Sequence, residues 1–258
     1  MIRHAFLLLR LLAPLAMLAC APAPALAATA PTAAARQLVV VVTTDWDAPR
    51  GELHAFERQG DGWRAAAPAF AVAVGHNGSA WGDGVHPPQS GGPRKREGDG
   101  RSPAGVFDLG PAFGYADRID SAMPYQAMRA THWCMDVPDS PLYNRIVDAA
   151  QVGADAVEGS SEPMRMDLHR DGDIRYREGF VIQHNPRAVP GHGSCIFAHL
   201  WRTPGEATAG CTAMEPADMQ RLLAWLDPAA RPRFVLLPQA EYRRLQRAWA
   251  LPTLEARP

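Results

Sequence analysis

The chain is expected to fold as a mainly β protein, a sandwich- or barrel-like sheet system with one or two short helices near its C-terminal end. Three features carry that expectation. Short apolar and β-branched runs recur along the chain, and Gly and Asp turns separate them. In addition, 24 prolines and 22 glycines among 258 residues punctuate it too often for a helical bundle. The 47% of hydrophobic residues supply apolar material for one good core. A formal net charge of -1 lacks the basic footprint of a nucleic-acid binder, so no nucleic-acid partner is expected.

Residues 1–27 read as a signal peptide. Arg3 supplies the positive end, Ala5 to Ala19 is apolar apart from Arg10, and Ala25-Leu26-Ala27 offers a small-residue cleavage site. A second processing route cuts before Cys20 and leaves a lipid anchor on that thiol. Either route sends the chain across the inner membrane to the periplasm or cell envelope. Residues 28–37 form an Ala/Pro/Thr tract with little to bury and read as a flexible tether. Residues 38–258 then read as one domain without internal repeats.

Within that domain Leu38-Val39-Val40-Val41-Val42-Thr43-Thr44 is a β-branched run that reads as the first strand. Trp46-Asp47 to Gly51 makes a turn, and Glu52 to Arg58, with Leu53 and Ala55 on one face, is the hairpin partner. After Gly60-Asp61-Gly62, Trp63 opens another strand pair reaching Val74. Gly75 to Arg101 is glycine-rich, with His76, Trp81, His86, Lys95, Glu97 and Asp99 interleaved. It reads either as a flexible surface loop or as the ordered rim of a groove. Pro103-Ala104-Gly105 reads as a turn re-entering a strand, Thr131 to Val137 as a strand, Val152 to Glu162 as a loop, and 161–176 as a helical turn or an edge strand. Gly179 to Asn185 and Ser194 to Leu200 are the next strands. Pro216 and its acidic neighbours fit a helix start, and Met219, Leu222, Leu223 and Leu226 give it one apolar face. Phe234 to Pro238 is a final strand and Glu241 to Ala250 a terminal helix.

Three cysteines follow the signal segment: Cys134, Cys195 and Cys211. An odd number in an oxidising compartment leaves at least one thiol unpaired. Either Cys134 pairs with Cys195 or both stay as buried thiols, with Cys211 free; the sequence leaves both arrangements open. Cys211 lies between Gly210 and Thr212, an open setting for a sulfur. His199, at the end of the apolar run Cys195 to Leu200, is brought beside it by a single returning loop. Nucleophile plus base is the pairing for covalent acyl transfer, because the thiolate attacks and the thiol hardly does.

His199, a spacer and then Thr208-Ala209-Gly210-Cys211 resemble the catalytic signature of the L,D-transpeptidase (YkuD-type) family. Lys95, Glu97-Gly98-Asp99-Gly100 and Ser102-Pro103-Ala104-Gly105-Val106-Phe107 look like the same family's Pro-x-Gly-x-Phe segment. The likeness covers about residues 38–240. It departs at Ala209, where a histidine is common, and at Thr212-Ala213-Met214, where an Arg or Asn is common two places after the cysteine. The spacer between His199 and Cys211 is also short, so the chain reads as a divergent branch.

The resemblance implies a YkuD-like β fold with the cysteine in a groove. It implies cleavage of peptidoglycan stem peptides after meso-diaminopimelate, release of D-alanine, and transfer of the acyl group to an amine on a second stem. Cys211 is then the nucleophile and His199 the base that also protonates the leaving amine. The amides of Gly210 and Cys211 would face the oxyanion. The acceptor that orients the other imidazole nitrogen is either a backbone carbonyl near Leu200 or His184. Trp201 and Arg202 lie beyond the base, where Arg202 can pair a stem carboxylate; Thr208 and Thr212 frame the nucleophile. A water acceptor would make the same site a carboxypeptidase or amide hydrolase, and a chain that has lost turnover would be a peptidoglycan-binding module.

No nucleotide, flavin or phosphate-cradling motif is present, so no cofactor is expected. His184, His192, Cys195, His199 and Cys211 cluster in sequence, but their spacing fits no usual zinc template, and no metal is assigned. His184 reads equally as a core residue, His132 as structural and His192 as a solvated loop residue.

Overall fold

The computed structural model describes Ile2 and residues 29–254. The signal segment and Cys20 therefore lie outside the described residues, Ile2 aside. The first strand, β1 (Gln37–Thr43), is the Val run, and Leu38, Val39, Val40 and Val41 are fully buried. Burial on both faces explains a run with no polar alternation. β2 (Arg50–Gln59) returns antiparallel to it, as the hairpin expectation has it, and β3 (Gly62–Ala65) and β4 (Phe70–Ala73) follow on β2.

β5 (Ser79–Trp81) is a short insertion in the glycine-rich stretch. That stretch is ordered: Trp81 and Lys95 are buried, and the Trp81 indole donates to the Gly91 carbonyl at 2.7 Å. β6 (Ser102–Gly114) is one continuous 13-residue strand, which corrects the expected Pro-x-Gly turn. Pro103 fits inside β6 because the bonds on the β5 side run through the Ser102 amide and the Ala104 carbonyl and the β14 pairing starts only at Gly105, so no ladder bond needs a Pro103 N–H. Gly105 lies against the His86 imidazole, where a Cβ would clash at 2.0 Å. β7 (Tyr125–Ala127) adds to the far end of β6.

The chain then leaves for a small separate sheet. β8 (His132–Cys134), β9 (Ile146–Asp148) and β10 (Glu162–Pro163) pair in the order β10-β8-β9, with two four-residue helices, α1 (Ala149–Val152) and α2 (Met166–His169), beside them. The expected strand over 131–137 is thus real but short, and it belongs to this cap. The polar stretch 161–176 holds both an edge strand and a helical turn.

β11 (Glu178–Ile182), β12 (Phe197–Leu200) and β13 (Thr212–Met214) return to the main sheet, and α3 (Pro216–Trp225) follows with Met219, Leu222 and Leu223 buried. β14 (Arg233–Pro238) runs parallel to β1, and α4 (Gln239–Leu245) is shorter than the expected terminal helix. The strand order β1-β14-β6-β11-β12-β13-β4-β2 closes through the β1–β2 pairing into a barrel. Closure removes the free edges that a sandwich of the same strands would carry.

The expected tether is corrected as well. Thr32 and Ala35 are buried, and the Arg58 guanidinium donates to the Thr32 carbonyl at 3.0 Å and the Ala35 carbonyl at 3.3 Å. The tract docks because those carbonyls meet a cation and Thr32 bonds the Trp249 carbonyl.

Candidate functional site around Cys211

β12 alternates. Ala198 and Leu200 join the main core, while Phe197 and His199 face the other way, into a second cluster of buried side chains. β13 runs parallel to β12 with Ala198 opposite Thr212 and His199 opposite Ala213. Continuing that register one step back sets Cys211 beside Phe197, whose amide donates to Cys211 Sγ at 3.3 Å. Cys211 and His199 are therefore diagonal neighbours on one sheet face, with Cα atoms about 8 Å apart from strand spacing and rise. The two side chains are not hydrogen-bonded to each other: the sulfur meets the Phe197 amide and the Cys195 carbonyl, and the imidazole meets the Leu200 carbonyl.

The sulfur is free. Cys134 and Cys195 form the disulfide, and Cys211 is a buried thiol that reaches the Cys195 carbonyl at 3.5 Å. Its backbone is held by two hydroxyls: Thr208 Oγ1 at 2.7 Å and Ser102 Oγ at 2.9 Å both donate to the Cys211 carbonyl. Thr208 Oγ1 also accepts from the Gly210 amide at 3.0 Å. Thr208 thus locks the turn that presents the sulfur. Of the two amides expected to face an oxyanion, that of Gly210 is already committed; that of Cys211 has no hydrogen-bond partner among the described residues. Space at Gly210 is tight, since a Cβ there would sit 3.0 Å from the Arg101 carbonyl oxygen.

His199 Nδ1 lies 2.7 Å from the Leu200 carbonyl. A carbonyl only accepts, so Nδ1 carries the proton and Nε2 keeps its lone pair. Of the two orienting acceptors expected, the backbone carbonyl is the one present. His184 is spent elsewhere: the Asp83 amide donates to its Nδ1 at 3.2 Å and its Nε2 bonds the His192 carbonyl at 2.9 Å. With both nitrogens on backbone and its ring against Phe107, His184 is a core residue and orients nothing at Cys211. His132, bonded through Nδ1 to the Arg129 amide, is structural too, and His192 pairs with Asp83 at the surface. The disulfide and the two backbone bonds of His184 take Cys195 and His184 out of any ligand set for zinc.

Three other expected site residues lie off the sheet face that carries the sulfur. Thr212, in register with Ala198, turns toward the main core. Arg202 is exposed and forks onto Glu206 four residues on, so its charge is paired on the loop that joins β12 to β13. Trp201 follows β12 at the start of that loop, half-buried.

The residues that sequence reading missed come from the cap and its exit. Tyr176 sets its ring edge-on to His199, with centroids 5.2 Å apart, and against Phe197 at 5.4 Å. Its hydroxyl donates to Glu162 Oε2 at 2.6 Å. Arg175 grips Asp173 through two nitrogens, and its carbonyl accepts from the Leu200 amide. Met128, Met164 and Met166 of the cap complete the cluster over Cys211. Only a Tyr and an Arg ahead of a strand hinted at these contacts; Glu162, 37 positions before His199, carries no local signal.

Cover by the cap sets the electrostatics. Cys211 keeps 8% of its surface and His199 4%. Burial pushes the thiol up to about 12, with the Glu162 carboxylate adding to the effect, and burial pulls His199 down to about 4. Burial likewise raises Glu162 and Tyr176. The covered pair is neutral thiol and neutral imidazole. A cavity of about 680 Å³ lined by Arg50, Glu52, Tyr242 and Arg243 shares no residue with this site.

Comparison of the chain with family models, with curated proteins and with solved structures gives no match.

Proposed function

We propose that the chain is a cysteine acyltransferase of the cell envelope, with a YkuD-like barrel, acting on peptidoglycan stem peptides. The observation that carries the reading is the pair itself: a free thiol and an imidazole on one sheet face, the imidazole in the tautomer that leaves Nε2 able to take a proton. In the first half-reaction Cys211 Sγ gives its proton to Nε2 and bonds the carbonyl carbon of the diamino acid. The C–N bond to the D-alanine breaks, and the proton passes from His199 to the leaving amine. An amine of a second stem then attacks the thioester, its proton goes by way of His199 to the departing sulfur, and the cross-link forms. Water in place of that amine makes the enzyme a carboxypeptidase.

Burial lifts the thiol to about 12 and lowers the imidazole to about 4, so in the covered state both stay neutral, and no hydrogen bond joins them. Admission of substrate between cap and barrel must restore polar surroundings before the sulfur ionises. That burial also favours a second reading, a peptidoglycan-binding module without turnover. Carbapenem treatment with intact-mass measurement separates the two. A covalent adduct on the wild type that disappears in Cys211→Ala is the outcome expected. No adduct, together with binding of muropeptides and no change in them, would leave the binding module.

A further inference from the structure

We infer that Tyr176, anchored by Glu162, is a positioning residue that fixes the imidazole plane of His199 and thereby the direction of Nε2. The inference rests on the proposed pairing of His199 with Cys211. One hydrogen bond, from Nδ1 to the Leu200 carbonyl, sets one end of the ring but leaves rotation about that bond soft, because the second side-chain torsion of histidine is broad. The missing restraint is the edge of Tyr176, packed on the ring at an interplanar angle of 69°.

Tyr176 is itself held on three sides. Phe113 and Phe197 meet its ring at 5.8 and 5.4 Å, and Glu162 Oε2 takes its hydroxyl at 2.6 Å. Glu162 in turn is the β10 residue opposite Cys134, whose disulfide partner Cys195 offers its carbonyl to the Cys211 thiol. One continuous set of contacts thus runs from the cap to both members of the pair. Burial of a carboxyl and a phenol together is costly unless each satisfies the other, and here they do. In a purely space-filling role a phenylalanine would serve as well.

The test uses the full chain with its disulfide intact and two readouts. Long-range proton–nitrogen NMR of the histidine rings reports the His199 tautomer, and carbapenem acylation of Cys211 reports maximal rate separately from half-saturation. Tyr176→Leu is expected to mix the two tautomers and to slow maximal acylation about 10- to 100-fold, with half-saturation unchanged. Tyr176→Phe and Glu162→Ala, which keep the ring and lose its anchor, should each slow it about 3- to 10-fold. Glu162→Gln, whose amide oxygen still accepts the hydroxyl, should stay within about twofold. If Tyr176→Leu does not fold, the contrast of Glu162→Ala with Glu162→Gln carries the test. Wild-type tautomer and rate in Tyr176→Leu, or in both Tyr176→Phe and Glu162→Ala, would overturn the inference while a Cys211-dependent adduct still supported the acyltransferase. Should the wild type form no adduct, the NMR readout alone decides the positioning role.

Discussion

In the barrel every strand has at least two partners, and β1 and β14 carry residues buried to the last few per cent of their surface. In the cap, strands of two or three residues pair in a row of three, and the helices beside them bury only Met166. The barrel is held by packing, which long apolar strands supply along their whole length. The cap holds by a few buried methionines, the Glu162–Tyr176 bond and a disulfide to the segment before β12. The candidate chemistry sits on the seam, with His199 and Cys211 on barrel strands and the groups that cover them on the cap. The barrel strands thus carry the candidate pair, and the cap supplies most of what buries it.

Opening the disulfide should part the two halves most. The bridge spans 61 residues, for which loop closure is worth about 4 kcal/mol. In Cys134→Ser with Cys195→Ser, hydrogen exchange should rise through the cap while β1, β6 and β14 keep their protection. Alkylation of Cys211 should speed up at least about tenfold, and its pH midpoint should fall from about 12 toward the ordinary thiol value of about 8.5. Parallel loss of protection in both halves would show that they unfold as one unit.

Acid should attack the barrel side. Folded His184 titrates at about 4 against about 6.5 in the open chain, because burial disfavours its charged form. Between those values the unfolded chain binds a proton that the folded chain refuses. Stability from this residue, and from His199 lowered to about 4 in the same way, is therefore whole above pH 6.5 and is lost as pH falls to 4, by roughly 3 kcal/mol for each. Urea unfolding at pH 7 and at pH 4.5 measures it, and equal midpoints would remove the effect.

Thr208→Ala tests the turn beneath the sulfur. The hydroxyl serves the Gly210 amide and the Cys211 carbonyl in a buried setting, so its loss should cost about 1 to 3 kcal/mol in denaturant, and Thr208→Ser should restore most of it. Arg202→Ala should do least. Its exposed pair with Glu206 is expected to change stability by less than about 0.5 kcal/mol and to leave carbapenem acylation of Cys211 unchanged. A large loss of acylation would return Arg202 to the site.

The barrel strands were legible because alternation, β-branched runs and Gly turns are local: the first strand, its hairpin and the Met219 to Leu226 face fell where the pattern put them. Cys211 and His199 were legible as candidates from residue type in a frame, and the free thiol among three cysteines was one of the arrangements left open. The Pro103 turn failed because a neighbouring parallel strand outweighed proline's local preference for a turn. The tether failed because its partners, Arg58 and Trp249, are distant in sequence.

By itself, then, the sequence determined a β fold and a thiol and an imidazole that a returning loop could join. Tertiary structure alone decided that the sheet closes, that Cys134 takes Cys195, and that the Leu200 carbonyl rather than His184 bonds the His199 imidazole. It also decided that Glu162 and Tyr176 stand over the pair. Period and composition act between near neighbours along the chain, whereas burial, pairing and the pull on a proton depend on which distant residues come to lie within a few ångströms.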